Sequence, residues 1–130
     1  MEYYQNTDPG FYSRGPGALV SSQQAGLAAG IDIAYFSLAA DAEAADAPVA
    51  GVLRLPPHGV LQRHSHPCYR VEVVVSGSID TGTAVLTAGD VMTSAPGECY
   101  GPHTAGPDGC VSVEMFSRLD GVRSTLRPQD

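Results

Sequence analysis

The sequence predicts an all-β fold, a barrel or sandwich of short strands with little helix. Three observations carry that reading. Runs of β-branched and aromatic residues recur along the chain. Glycine and proline punctuate them, 15 and 10 in 130 residues. No helical period of 3.6 residues persists beyond about ten residues.

The elements follow in order. Residues 1–30 carry Pro9, Gly10, Gly15, Pro16, Gly17, Gly26 and Gly30 and read as an arm with one short strand around Leu19. IDIAYFSL, 31–38, is the first clear strand. The acidic stretch 39–48 ends in Pro48 and reads as a surface loop. VAGVLRL, 49–55, is a strand stopped by Pro56 and Pro57. After Arg63–His66 comes RVEVVVS, 70–76, with Gly77 marking a turn or bulge. SIDTGTAVL reads as a hairpin bending at Gly82, and VMTSA as a further strand. Residues 96–109, rich in Gly and Pro, read as a long loop. CVSVEMFSRL, 110–119, alternates and reads as a long strand. The remainder is a tail expected to be partly disordered. No repeat or linker divides the chain, so one domain is expected: an arm (1–30), a core (48–118) and a tail (119–130).

Composition excludes several functions. The chain is 43% hydrophobic, with no apolar run near the ~20 residues a membrane span needs. Its net charge is −7, and its seven cations are all arginine. That argues against nucleic acid and anionic membranes as partners. MEYYQNTDPG has neither the basic start nor the apolar core of a signal peptide. Cys68, Cys99 and Cys110 are odd in number and irregularly spaced, as expected of free thiols in a reducing cytoplasm.

The chemistry concentrates in RHSHPCYRVEVVVSG, 63–77. His64 and His66 stand two apart, so on a strand both imidazoles face one way. Continuing the alternation puts Arg70 and Glu72 on that same face, opposite Val71, Val73 and Val75. Such a face is either solvated or lines a polar cavity. In the later strand Cys110, Ser112, Glu114 and Phe116 share a face, which makes Glu114 a candidate inward carboxylate.

The HxH pair, the β run ending at Gly77, the AGD turn at 88–90 and the PG…GPH loop resemble the cupin superfamily. The resemblance covers roughly residues 48–118 and implies a small jelly-roll β-barrel. In the motif G-x5-H-x-H-x3-E-x6-G the histidines fall on His64 and His66 and the last glycine on Gly77. The glutamate position holds Arg70. In G-x5-P-x-G-x2-H-x3-N, set on Gly89 and Gly97, the histidine position holds Tyr100. The family's metal ligands are commonly three His and one Glu, so two positions depart from the pattern. Glu72, two residues past Arg70, and His103, three past Tyr100, are the candidate replacements. The implied cofactor is a divalent metal, with Fe(II) favoured over Mn(II), Ni(II) or Zn(II).

Two functions remain open. One is a small metal-dependent enzyme acting on an oxygen-rich organic substrate by dioxygenase, isomerase or cyclase, or decarboxylase chemistry. Arg70, Tyr100 and Glu114 would act on the substrate, and His64, His66, His103 and Glu72 would hold the metal. The other is a non-catalytic binding or sensing module whose metal site has decayed. A homodimer is expected from the resemblance, with the arm exchanging between subunits at an open sheet edge.

Overall fold

The computed structural model describes residues 1–16 and 30–127; the short strand expected around Leu19 lies outside them. The described residues form nine strands: β1 (Asp32–Ser37), β2 (Val49–Leu55), β3 (Val60–Leu61), β4 (His64–Ser65), β5 (Arg70–Asp80), β6 (Val85–Thr87), β7 (Val91–Ser94), β8 (His103–Phe116) and β9 (Thr125–Leu126). Among the described residues helix is limited to two 3₁₀ turns, Phe11–Ser13 and Leu119–Gly121.

A seven-stranded antiparallel sheet runs β1-β2-β8-β5-β6, with β3 pairing on β8 and β7 on β5; β4 and β9 form a separate ribbon. β8 is the axis of the main sheet. Its second half pairs on one side with β2, Leu55 opposite Cys110 through Val49 opposite Phe116. Its other side pairs with β5, where Glu72 stands directly opposite Glu114.

The period-two alternation sets what lies inside. Along β5, Arg70, Glu72 and Val74 are buried while Val71, Val73 and Val75 are not. On β8, Cys110, Ser112, Glu114 and Phe116 are buried, and Val111, Val113 and Met115 are half-buried. The apolar core includes Ile31, Val49, Leu53, Leu55, Val74, Ile79 and Phe116. The interior therefore has an apolar end and a polar end, and β5 and β8 contribute to both.

The β5–β8 pairing shifts register between Val74 and Ser76 and again between Gly77 and Ile79. Gly77 there has φ 72° and Gly109 has φ 76°. A Cβ added to Gly77 would lie 2.1 Å from the Gly109 carbonyl oxygen. The two backbones touch at this corner, and a side chain would force them apart.

Three elements differ from the sequence reading. β8 begins at His103, inside the stretch read as a loop, because its first residues pair with β3 and with the far end of β5. Its outer strand end is Phe116 rather than residue 119. The tail is ordered through Arg127. Leu119 and Val122 are buried, and Thr125–Leu126 pairs with Ser65 and His64. Phe116, Leu119 and Val122 follow at intervals of three, which is not a strand alternation, so local pattern could not reveal the docking. The arm's described part folds back on its own barrel: Phe11 is buried 5.9 Å from the Phe36 ring, and the Tyr35 N–H donates to Arg14 O.

Gly77→Ala is expected to cost at least about 2 kcal/mol, combining the positive φ with the backbone collision. Urea unfolding monitored by circular dichroism measures it; an unchanged midpoint would show that the corner can open without cost.

Candidate ligand site at the polar end of the barrel

Arg70 is the centre of the polar end. It opens β5 and points inward, 4% exposed. Its Nη1 donates to Glu72 Oε1 at 2.7 Å and to Glu114 Oε1 at 3.2 Å. Its Nε donates to Ser94 Oγ on β7 at 3.3 Å. The guanidinium carbon lies 4.1 Å from the centroid of the Tyr100 ring, a cation–π contact. Nη2 makes no hydrogen bond to a described residue. Burial alone would lower the Arg70 pKa, but the acidic groups around it, Glu114, Tyr100 and Glu72, outweigh it and hold the group above its ordinary value.

The carboxyl pair is fixed from both strands. Glu72 takes the Arg70 bond on Oε1 and accepts from Ser112 Oγ at 2.6 Å on Oε2. Glu114, opposite it, is pushed up to about 8 by burial and by the neighbouring Glu72 charge, partly offset by Arg70. Two carboxylates opposite each other in a dry interior cannot both ionise against one cation. At neutral pH Glu114 therefore carries a proton.

The histidines line the wall facing Arg70. His64 and Tyr100 exchange both backbone hydrogen bonds at 3.0 Å, which locks the 95–102 loop to β4. The ring of Tyr100 contacts all three imidazoles, with centroids 4.4 Å from His64, 6.1 Å from His66 and 5.4 Å from His103. His64 Nδ1 donates to the Gln62 carbonyl at 2.6 Å. Burial lowers His64 to about 4 and His66 to about 3, and lowers His103 as well. All three rings are neutral at pH 7. His66 Nδ1, His103 Nδ1 and the Tyr100 hydroxyl are buried without a hydrogen-bond partner. Unpartnered buried polar atoms cost about 1–3 kcal/mol each, so a cluster of three marks a place completed by something else.

The tail closes this end. Cys68 Sγ–H donates to Gly121 O at 3.3 Å, and a Cβ on Gly121 would lie 2.3 Å from Cys68 Cβ. The Arg127 N–H donates to Arg63 O, and Arg63 Nη1 returns a bond to Arg127 O. Cys68, Cys99 and Cys110 are all free thiols.

Every sequence-predicted site residue thus lies in one cluster, but not as a metal centre. Among the described residues no group of three or more His, Cys, Asp or Glu is placed to hold a metal ion. Both oxygens of Glu72 are committed to Arg70 and Ser112. The Tyr100 ring stands among the imidazoles, and a permanent cation occupies the position where the motif carries a carboxylate. A divalent ion beside a buried guanidinium is repelled. As arranged, these residues do not fit a metal ion. Ser94 and the Gly121–Val122 backbone also belong to the site. Ser94 was legible in principle, since it follows Met92 on the inward face of VMTSA, whereas the tail carried no local signal.

No protein-family model and no curated protein matches the sequence. Solved structures do match. A cupin-like protein from Thermotoga maritima superposes with TM-score 0.59 at 16% identity, covering 98% of this chain and 89% of that one. An acetylacetone dioxygenase from Acinetobacter johnsonii gives TM-score 0.61 at 13% identity, covering 97% and 86%. The fold is that of a cupin. A chain from the Rhodobacter sphaeroides complex of SigE with the anti-sigma ChrR matches with TM-score 0.52 at 18% identity over 67% of this chain, which spans only 45% of that one. At these identities the cupin likeness concerns the fold alone. Among the described residues no helix is long and apolar enough to cross a membrane.

The titrations in this barrel predict a peaked stability profile. The histidines have lowered folded pKa values, so stability rises with pH from about 3–4 up to the ~6.5 of free imidazole. Glu114 has a raised one, so the folded state holds a proton that the unfolded state has lost, and stability falls as pH rises towards about 8. Between pH 6.5 and 8 only the second trend should remain, at up to about 1.4 kcal/mol per pH unit. Glu114→Gln should flatten that branch in urea titrations; an unchanged slope would place the proton elsewhere.

Proposed function

We propose that the polar end of the barrel binds a small organic molecule through an anionic or carbonyl oxygen, without a metal ion. The observation that carries this is Arg70. It is held in place through Nη1 and Nε while Nη2 makes no bond to a described residue. With Nε and Nη1 committed, the two N–H groups of Nη2 remain to donate to a carboxylate or a polarised carbonyl. Protonated Glu114 keeps the Arg70–Glu72 pair close to neutral, so the site does not repel an anion. Of the two functions open in the sequence, this supports the binding module over the metal-dependent enzyme.

A second reading, acid–base catalysis on the bound molecule, draws on Glu114. A carboxyl with its pKa near neutrality beside a ligand oxygen is suited to passing a proton.

Elemental analysis of tag-free protein is expected to find a metal content well below stoichiometric. In calorimetry against pyruvate, lactate and mandelate, Arg70→Lys should weaken binding at least tenfold, about 1.4 kcal/mol, because it keeps the charge and loses the planar donor set that positions Nη2. Circular dichroism should be unchanged. A stoichiometric metal lost in His64→Ala/His66→Ala would overturn the metal-free reading.

The outward face of β5, β7 and β8 supports a homodimer. Tyr69, Val71, Val73, Val91, Thr93 and Met115 form a face with no charged side chain, on a chain of net charge −7. Tyr69 and Val91 are 66% and 54% exposed. Two such acidic chains associate where charge is absent. Sedimentation should show a dimer that Val91→Asp dissociates; a monomeric wild type would remove this reading.

A further inference from the structure

The uncharged outward face has relief as well as composition. Phe116 stands opposite Val49 on one side and Arg70 on the other, and Arg70 stands opposite Ser94. One residue further along each strand, Pro48, Ser117, Tyr69 and Ala95 form a row across the sheet, all exposed. Tyr69 is the large side chain of that row, flanked by the small Ser117 and Ala95. The next row holds Met115, Val71 and Thr93. Beside Tyr69 these two rows line a groove of about 540 Å³. Arg70 also borders it, but its guanidinium turns inward to Glu72 and Glu114. Charge stands at the margin, in Glu98, whose Oε1 accepts from the Ala95 N–H, and in Arg118, which follows Ser117. An apolar centre with a polar margin is how protein interfaces are built.

The base of Tyr69 is fixed. Its N–H donates to Ser117 Oγ at 3.1 Å, and its carbonyl accepts from the Ser117 N–H at 3.0 Å. Its side chain is nevertheless 66% exposed. A rigidly mounted aromatic side chain loses little freedom when it is buried against a partner.

We propose that Tyr69 seats in this groove on a second copy of the chain, while the partner's Tyr69 seats in the first. The proposal rests on the homodimer reading above and names the side chain that anchors it. A surface carrying a projection and a recess side by side is self-complementary, as a twofold contact requires. A second copy also brings no charge into the groove. A basic partner would be drawn to the acidic remainder of the chain instead. Buried tyrosines at the centre of an interface commonly carry much of its affinity.

The test uses the full chain, which contains no tryptophan. Tyr69→Trp therefore supplies a single indole at the anchor. Its emission should shift to shorter wavelength as concentration rises, in step with the dimer fraction from sedimentation. Tyr69→Ala should weaken dimerisation at least about a hundredfold, since it removes the anchor from both halves. Tyr69→Phe should keep most of the affinity, and circular dichroism should be unchanged in all three. Should the larger indole prevent dimerisation, the contrast between Tyr69→Phe and Tyr69→Ala decides. A Tyr69→Ala dimer within about threefold of wild type, or an indole that stays solvent-exposed in the dimer, overturns the anchor. The dimer reading then still stands if Val91→Asp dissociates the wild-type pair. A wild type that remains monomeric overturns that reading and this proposal with it.

Discussion

The buried ion cluster around Arg70 is the constraint on which the polar half of the barrel depends. One guanidinium gathers Glu72 from β5, Glu114 from β8, Ser94 from β7 and the Tyr100 ring from the adjoining loop. Removing a single member of such a set leaves the others buried and uncompensated, at a cost of about 3–5 kcal/mol. Replacing the whole set by apolar side chains would carry no such penalty. Packing alone therefore does not account for the cluster, and its partners each constrain where the others can point.

The same cation explains the state of its neighbours. Arg70 adds to the burial that keeps His64, His66 and His103 neutral, while Glu72 acts against it at His64 and His103. Glu114 remains protonated because Glu72 already supplies the negative charge that Arg70 needs. The cluster thus holds one full ion pair and several neutral groups with directed lone pairs and protons. A chain that keeps two motif histidines but places an arginine at the carboxylate position has changed the electrostatics of the whole polar end, not one ligand.

Much of this was legible in the sequence, and the reasons differ from residue to residue. Alternation in RVEVVVS and CVSVEMF put Arg70 and Glu72 on one face, solvated or lining a polar cavity, and made Glu114 a candidate inward carboxylate, because a half-buried strand leaves a period of two whatever its tertiary setting. Gly77 and Gly82 stood out as turn or bulge residues for steric reasons local to the backbone. The pairing of Glu72 with Glu114 was not legible, since register between strands some forty residues apart has no local trace. Nor was the partnership of Arg70 with both of them. The start of β8 at His103 was hidden because Gly106, Pro107 and Gly109 read as breakers, whereas the strand tolerates them where its partners change. The tail escaped detection because it is held by backbone bonds to Arg63, His64 and Ser65 and by scattered apolar contacts, which leave no periodic pattern.

The central position of β8 carries a kinetic consequence. Its partners β2 and β5 both precede it in the chain, and Val49 meets Phe116 across 67 positions. Hairpins such as β5–β6 close short loops and can form within microseconds. The sheet's axis must wait for much longer closures, which are entropically costly before any contact rewards them. Until β8 inserts, the facing edges of β2 and β5 have no partner, and the valines of β5 lie on an open strand. The interval before that insertion is when the chain is most exposed to pairing with another copy of itself. The strand that completes the ion cluster through Glu114 is therefore also the one that ends this exposure.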